Sequence, residues 1–466
     1  MISSNISITN PYQPQTERLG LFHRGIGIAL LSVLMIYLSV YVGQVDPKIG
    51  LVSAIVCLGI GGKRLLGASV WPLMAIIGYG AMMDVVVPGP KPDLGIVLEH
   101  PLFVLDCVLF AALVLGGQSV RRQYVLLLGI LFISLIGAVG DTLGHDMTAL
   151  LPFEMPDDAI VNTFILQQGD VVRIRGFFTE AGVLGAVSMG IATMLALGAV
   201  VLIRLRVSLR FAWFGLIGAA CMGGAILCIT VTKSGLVMVA AGCLGFVAVL
   251  LSSRNSRCRL LAVAIFAALI FGGAAFLVVG PPTLSSYLRG EIVAAVNPYA
   301  MTSADIASHS GVVTRYKCWL LAFTSLHEKP FGVGAYGLGS VIQGLGNAGL
   351  THEMRYFFSR DNFGLKNALA DLFVETGFPG IGLLLFWIFS AFIRPIRHCL
   401  LDGSGRSTLI AGLYGASAVS CLVFLFSCEL YPSLAFLLVL KCHADAVAQA
   451  CAPASEPDSE ANELIG

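Results

Sequence analysis

An all-α polytopic membrane protein is the fold class this sequence predicts, and three observations predict it. Of 466 residues, 57% are hydrophobic and only 12% are charged. That is half the roughly 25% charged fraction of a soluble domain, too few charges to cover a water-facing surface. Apolar runs of spanning length recur along the chain, judged against the ~20 residues that a bilayer needs. Basic residues mark every second gap between these runs, the pattern expected of loops on one membrane side. The formal net charge of +1 gives no electrostatic footprint for nucleic acid. Membrane lipids are the partners that composition alone implies.

The elements follow in order, with about twelve spans expected. Residues 1–23 are polar and lack a cationic, apolar leader with a small-residue cleavage site, so they read as a cytoplasmic N-terminal tail. Transmembrane helices 1–5 fill 24–140, as runs near 24–43, 48–62, 65–87, 94–117 and 123–140. A first long outer loop covers 141–179. Helices 6–9 fill 180–280, near 180–203, 211–231, 235–252 and 259–280. A large outer loop subdomain covers 281–378. Helices 10–12 fill 379–441, near 379–394, 407–427 and 429–441, and 442–466 reads as a disordered acidic cytoplasmic tail. The second and last runs are short for a span.

Orientation comes from the cations. Lys63–Arg64, Arg121–Arg122, Arg204/Arg206/Arg210, Arg254/Arg257/Arg259 and Arg394/Arg397/Arg406 lie in alternate loops, which places those loops and both termini in the cytoplasm. The 12 cysteines fall mostly in apolar runs with no C-x-x-C cluster, so small buried hydrophobes are expected rather than a disulfide framework or a metal site. No cofactor or metal is expected.

The 281–378 loop holds seven Lys/Arg (Arg289, Arg315, Lys317, Lys329, Arg355, Arg360, Lys366) and seven Asp/Glu. Interleaved aromatics and glycines predict that it folds, with a helix opening near His309. Several cations therefore stand on the outer face, against the orientation rule: Arg173, Arg175, Lys233, Arg315 and Lys366. Arg and Lys near a bilayer surface suit phosphate, since charge-assisted hydrogen bonds strengthen as a site dries. A plainer account stands beside each: interfacial snorkelling for Arg173 and Arg175, a headgroup anchor for Lys233, a solvated helix face for Arg315. Thr179 would cap the sixth span, with Glu180 in its first turn. Glu99 and Asp106, seven residues apart in the fourth span, fit a proton site or a structural pairing. Gly332, Gly334 and Gly337 spell G-x-G-x-x-G, but Pro330 precedes them and no βαβ unit surrounds them, so permissive turns are expected instead of a nucleotide site.

The stretch GLKNALADLFVETGFPGIG, from Gly364 to Gly382, predicts a short helix ahead of the tenth span. Leu365, Leu369, Leu372 and Phe373 make its apolar stripe, and Asn367, Asp371 and Glu375 a polar row. The row is expected to face the space beneath the outer loop. Gly377 and Pro379 read as its stop.

In order along 170–395, these segments resemble the O-antigen polymerase and ligase family of bacterial envelope enzymes. RIRGFFTE resembles that family's R-x-x-G-x-F segment, TKSGL its T/S-R/K-S-G-x-L turn, and RYKCW its R-x-x-x-W helix start. KPFGVGAYG resembles its P-x-G-x-G turn, and KNALADLFVETGFPG its H-N-x-x-L…E-x-G-x-x-G return to the membrane. The resemblance implies a GT-C-like glycosyltransferase acting at the periplasmic face on an undecaprenyl-diphosphate-linked oligosaccharide without a metal. It also implies a flippase and a chain-length regulator as pathway partners. Arg175, Lys233, Arg315 and Lys366 would be the catalytic cations, with Arg173, Arg289 and Arg360 as further donor-binding cations. Glu180 and Glu375 would orient them or serve as base, Asn367 would bind substrate, and Tyr316 and Trp319 would stack on sugar rings. Lys366 stands where family ligases carry His. An ammonium does not act as a base unless desolvation lowers its pKa, which tilts the expectation from ligase to polymerase. A lipid-linked oligosaccharide transporter is the alternative of another class. It predicts short outer loops and internal repeats, neither of which the sequence has.

Overall fold

The computed structural model describes residues 70–87, scattered helical positions in 101–116, 118–145, 147, 174, 176, 181–230, 232–279, 310–334, 337, 367–427 and 430–452. All of its regular structure is helical among these residues. In chain order the helices are α1 (Trp71–Val86), α2 (Val120–Thr142), α3 (Ala181–Arg204), α4 (Leu209–Thr230), α5 (Lys233–Ser252), α6 (Ser256–Val279), α7 (Ser310–Glu328), α8 (Ala368–Glu375), α9 (Gly377–Ile388), α10 (Arg394–Asp402), α11 (Gly405–Ser427) and α12 (Leu430–Ala450). A π turn, Phe389–Ile393, joins α9 to α10. Among the described residues seven helical segments are long and apolar enough to cross a membrane: α2, α3, α4, α5, α6, the α9–α10 unit and α11. The expected spans at 24–43 and 48–62, with Glu99 and Asp106, lie outside the described residues.

Helix α3 is the centre of the bundle. It packs against α2, α4, α5, α11 and α12, and most of its length is buried. A central helix in a membrane needs small residues, because lipid tails compete equally well for apolar side chains and only close van der Waals packing favours helix contact. Gly190 and Gly198 supply this. A Cβ at Gly190 would lie 2.6 Å from the Phe436 ring of α12, and one at Gly198 would lie 2.7 Å from His443 Nε2. The tightest crossing pairs α5 with α11, where a Cβ at Gly245 would lie 2.5 Å from the Gly415 carbonyl oxygen. Helices α4 and α6 form the rim and present Trp213, Phe214, Ile217, Leu260 and Phe271 outward, as lipid-facing helices do.

Two buried polar side chains tie neighbouring helices to the backbone of α3. Tyr124 donates to the Leu195 carbonyl (2.9 Å). His443 Nε2 lies 3.1 Å from the Met194 carbonyl; since a carbonyl only accepts, that nitrogen carries the proton. In α12, Asp445 pairs with Lys441 and accepts from Tyr414 of α11 (2.7 Å).

Two boundaries and one burial assignment differ from expectation. The last helix does not stop at 441 but runs to Ala450, so residues 442–450 are not part of a disordered tail. Lys441, His443 and Asp445 broke the apolar run, yet partners on α3 and α11 satisfy two of them and Cys442, His443, Ala446 and Val447 are buried. The tenth span does not end at 394. It continues to Asp402 through the π turn, which falls just before Pro395, where a missing N–H leaves no α-helical bond to close. Cys221 and Cys228 face outward instead of into the core, because α4 is a rim helix.

The helices alternate in direction, so Arg121, Arg122, Arg204, Arg210, Arg257, Arg259, Arg397 and Arg406 gather at one end. This clustering is the charge asymmetry that the alternate basic loops predict.

Gly245→Val tests the α5–α11 crossing. Overpacking of this kind costs about 1–3 kcal/mol, so thermal unfolding in detergent should show a lower Tm. An unchanged Tm would mean that the two backbones are not in contact.

Candidate functional site

The end of the bundle opposite the arginines carries a built polar unit. Helix α7 ends at Glu328, and the chain turns through Lys329–Gly334 with Gly332 at φ 85° and Gly334 at φ 75°. Only glycine adopts such angles at low cost. The turn leads back across the end of α8. Val333 N donates to Val374 O and Gly334 N to Glu375 O, both at 2.9 Å. Phe378 N returns a bond to Pro330 O (2.9 Å). The turn thereby takes up carbonyls that a helix C-terminus leaves without intrahelical partners. Tyr79 of α1 donates to Phe331 O (2.9 Å), which ties the turn to the bundle. The glycines are the expected permissive turns, and close approach is the second reason for them. A Cβ at Gly334 would lie 2.2 Å from Asp84 Oδ1 and 2.6 Å from Asp84 N.

Helix α8 is capped at its other end by Asn367, whose side-chain oxygen accepts from Ala370 N (3.2 Å). The expected helix is present, shifted to Ala368–Glu375, and Gly377 breaks it at φ 57°. The polar row is placed differently from expectation. Asn367, Asp371 and Glu375 are 1%, 2% and 5% exposed, so the row is packed within protein and does not face open space. The cause is that α8 contacts α7, α11 and α12 together and so buries both of its faces. Phe373 meets Trp319 of α7 at 5.5 Å between ring centroids, and Trp319 also meets Phe323 (5.5 Å) and Phe426 of α11 (5.6 Å). Trp319 is thus engaged by protein rings that fasten α7 to the bundle.

Described parts of the other motif segments lie at this same end. Gly176 N donates to Asp141 Oδ2 at the end of α2 (3.2 Å), and Ile174 beside it is buried. Ser234 Oγ, in the first turn of α5, donates to Gly182 O in the first turn of α3 (2.7 Å). The backbone of Lys233 opens α5, and those of Arg315 and Tyr316 lie on α7. Arg173, Arg175, Glu180, Arg289, Arg360 and Lys366 lie outside the described residues, as does Thr179. Among the described residues no group of three His, Cys, Asp or Glu side chains could hold a metal.

Sequence reasoning passed over Asp84. It is 2% exposed near the C-terminal end of α1 and lies against the Gly334 turn. Its signal was a carboxylate closing the apolar run MAIIGYGAMMDVV, an expensive placement in a span.

Replacement of Asn367 by Ala should cost about 1 kcal/mol through loss of the cap, and Asn367→Asp should restore most of it. Gly334→Ala should cost more, since it combines a positive φ with a backbone clash. Denaturant midpoints for the three variants check the order, and a Gly334→Ala protein as stable as wild type would refute the clamp. The chain matches no protein-family model and no curated protein, so the family resemblance rests on the motifs and their order alone.

Proposed function

We propose that the protein polymerises undecaprenyl-diphosphate-linked oligosaccharide repeats at the periplasmic face of the bacterial inner membrane, as a multi-pass GT-C-like glycosyltransferase with cytoplasmic termini. The observation that supports this most is the convergence at one end of the bundle. Ile174 and Gly176, the start of α5, helix α7 and the clamped α8 all lie opposite the arginine-rich end. A site there meets both a lipid anchor and water-soluble sugars, which is what a lipid-linked glycan requires.

The reaction joins an acceptor hydroxyl to the donor's anomeric carbon. The anomeric C–O bond to diphosphate breaks, undecaprenyl diphosphate leaves with the electron pair, and the hydroxyl proton passes to a base. Negative charge grows on the leaving diphosphate, so the catalytic requirement is fixed positive charge beside it. Arg175, Lys233 and Arg315 would supply it, with Lys366, placed directly before the Asn367 cap, at the rim. Arg173, Arg289 and Arg360 would extend the donor site. The buried carboxylate of Glu375 would orient these cations, a part that Asp84 and Asp371 would share. The acceptor is a second lipid-linked unit in a polymerase and lipid A-core in a ligase.

The test is polymer length on gels from a deletion strain carrying single substitutions. Arg175→Ala and Arg315→Ala should each lower polymer yield about a hundredfold at normal protein level, the loss that removal of one charge-stabilising donor produces. Arg315→Lys should also lose activity, since an ammonium lacks the fork that grips phosphate. Full-length polymer from both alanine variants would sink the reading. In the null strain, single lipid-linked units should accumulate in the outer leaflet; accumulation in the inner leaflet would point to a flippase.

A further inference from the structure

The arginine-rich end carries a basic surface that the proposed glycan transfer does not use. The α5–α6 and α10–α11 connections meet there. Ser253 Oγ lies 3.1 Å from Thr408 Oγ1, and Cys258 Sγ donates to Gly405 O (3.8 Å). Arg259 Nε donates to Ser253 O (2.6 Å), and Asn255 Oδ1 caps α6 by accepting from Arg257 N (3.0 Å). The two connections thus form one fixed surface. It presents Arg254, Arg257, Arg259, Arg394, Arg397 and Arg406, all exposed. The only carboxylate in 253–259 and 394–408 is Asp402, and it accepts from Ser407. Among the described residues none of the six arginines is in an ion pair. Arg257, Arg259 and Arg406 also stand in the first turns of α6 and α11, which hold no acidic residue. A helix N-terminus favours an anion there, not a cation. The surface therefore calls for negative charge.

Helix α12 ends beside it. Tyr414 bonds Asp445 (2.7 Å) across the antiparallel α11–α12 pair. Equal steps from that bond bring Cys451 about level with Thr408, two residues from Arg406. Burial pushes the Cys451 thiol up to about 11, and the Arg406 guanidinium opposes the rise, so charge and register agree on where the chain leaves α12. Residues 453–466 contain Glu456, Asp458, Glu460 and Glu463 and no Lys or Arg. At up to ~3.6 Å per residue, Glu456 can reach about 18 Å from Cys451 and Glu463 about 43 Å. Packed helices lie about 8–10 Å apart, and α6 and α10 both contact α11. Every arginine of the surface is within that reach.

We infer that residues 453–466 dock across this surface, with their carboxylates on Arg254, Arg257, Arg397 and Arg406. Exposed ion pairs are individually weak, but the tether to α12 gives the segment an effective concentration on the order of 1 mM. A contact of only ~0.1 mM affinity then holds it about nine-tenths of the time. Docking requires neither the glycan chemistry nor a particular side of the membrane.

The full chain in detergent is treated with a Glu-specific protease, and loss of the residues beyond Glu456 is timed by intact mass. A docked segment cannot extend into the protease cleft. At about 50 mM salt, wild type should therefore be cut about tenfold more slowly than a variant with Arg254, Arg257, Arg397 and Arg406 changed to Gln. At about 1 M salt, where screening shortens to ~3 Å, the two should be cut alike. Should that variant fail to fold, Asp458→Lys with Ser459→Lys keeps every glutamate of the segment and should be cut as quickly. Equal rates for wild type and the variants at low salt would overturn the inference. Equal rates together with retention of phosphatidylglycerol by wild type alone would assign the surface to anionic lipid instead. Protection that grows with protein concentration would overturn it too, since the occupant would then be the segment of a second copy.

Discussion

Everything in this bundle depends on how closely its helices approach. In water, apolar faces would drive the helices together; in a bilayer the tails are as apolar as leucine, and that force is gone. What remains is contact at short range. The Gly245–Gly415 crossing brings two backbones together without intervening side chains. It allows α5 and α11 to enclose α3 from one side while α12 and α2 close on it from another. The hydrogen bonds from Tyr124 and His443 to consecutive carbonyls of α3, at Leu195 and Met194, become geometrically possible only once that enclosure exists.

With α3 fixed, the two ends of the bundle acquire different chemistry from the same helices. One end collects the arginines, because alternate loops share a side. The other collects carboxylates and amides: Asp84, Asp141, Asn367, Asp371 and Glu375. The second set is the unusual one. Basic residues at a membrane surface face water or snorkel to it, whereas Asp84, Asp371 and Glu375 are buried, and burial of charge demands compensation.

The membrane helices were legible because their signal is local. Eighteen or more apolar residues read as a span whatever surrounds them, and α3, α4, α5, α6 and α11 begin and end within a few residues of expectation. The asymmetry of basic loops was equally local. Errors arose where a polar residue is satisfied from far along the chain. His443 finds its partner 249 positions away and Tyr414 reaches Asp445 across a loop; without those partners α12 looked too short and too polar to continue. The burial of the α8 polar row was hidden for the same reason, since periodicity assigns a helix its faces but not what covers them. Asn367 as a cap was readable from its type and place, but the capture of the other end of α8 by Val333 and Gly334 was not, because that pairing joins segments about forty residues apart.

That pairing has a consequence for how a site can be held at this end. A helix of eight residues has too few internal bonds to offset the cost of nucleation and is not stable by itself in water. Helix α8 is ordered because Asn367 satisfies one end, the Lys329–Gly334 turn satisfies the other, and α7, α11 and α12 bury its sides. Each restraint comes from a different part of the chain. Asn367, Asp371 and Glu375 therefore inherit their positions from the whole bundle rather than from local propensity. Charged groups near a leaving diphosphate are effective only when their orientation is set before the reaction, since reorientation during it would consume the stabilisation they offer. A short helix clamped at both ends and on both faces would meet that requirement of the proposed transfer.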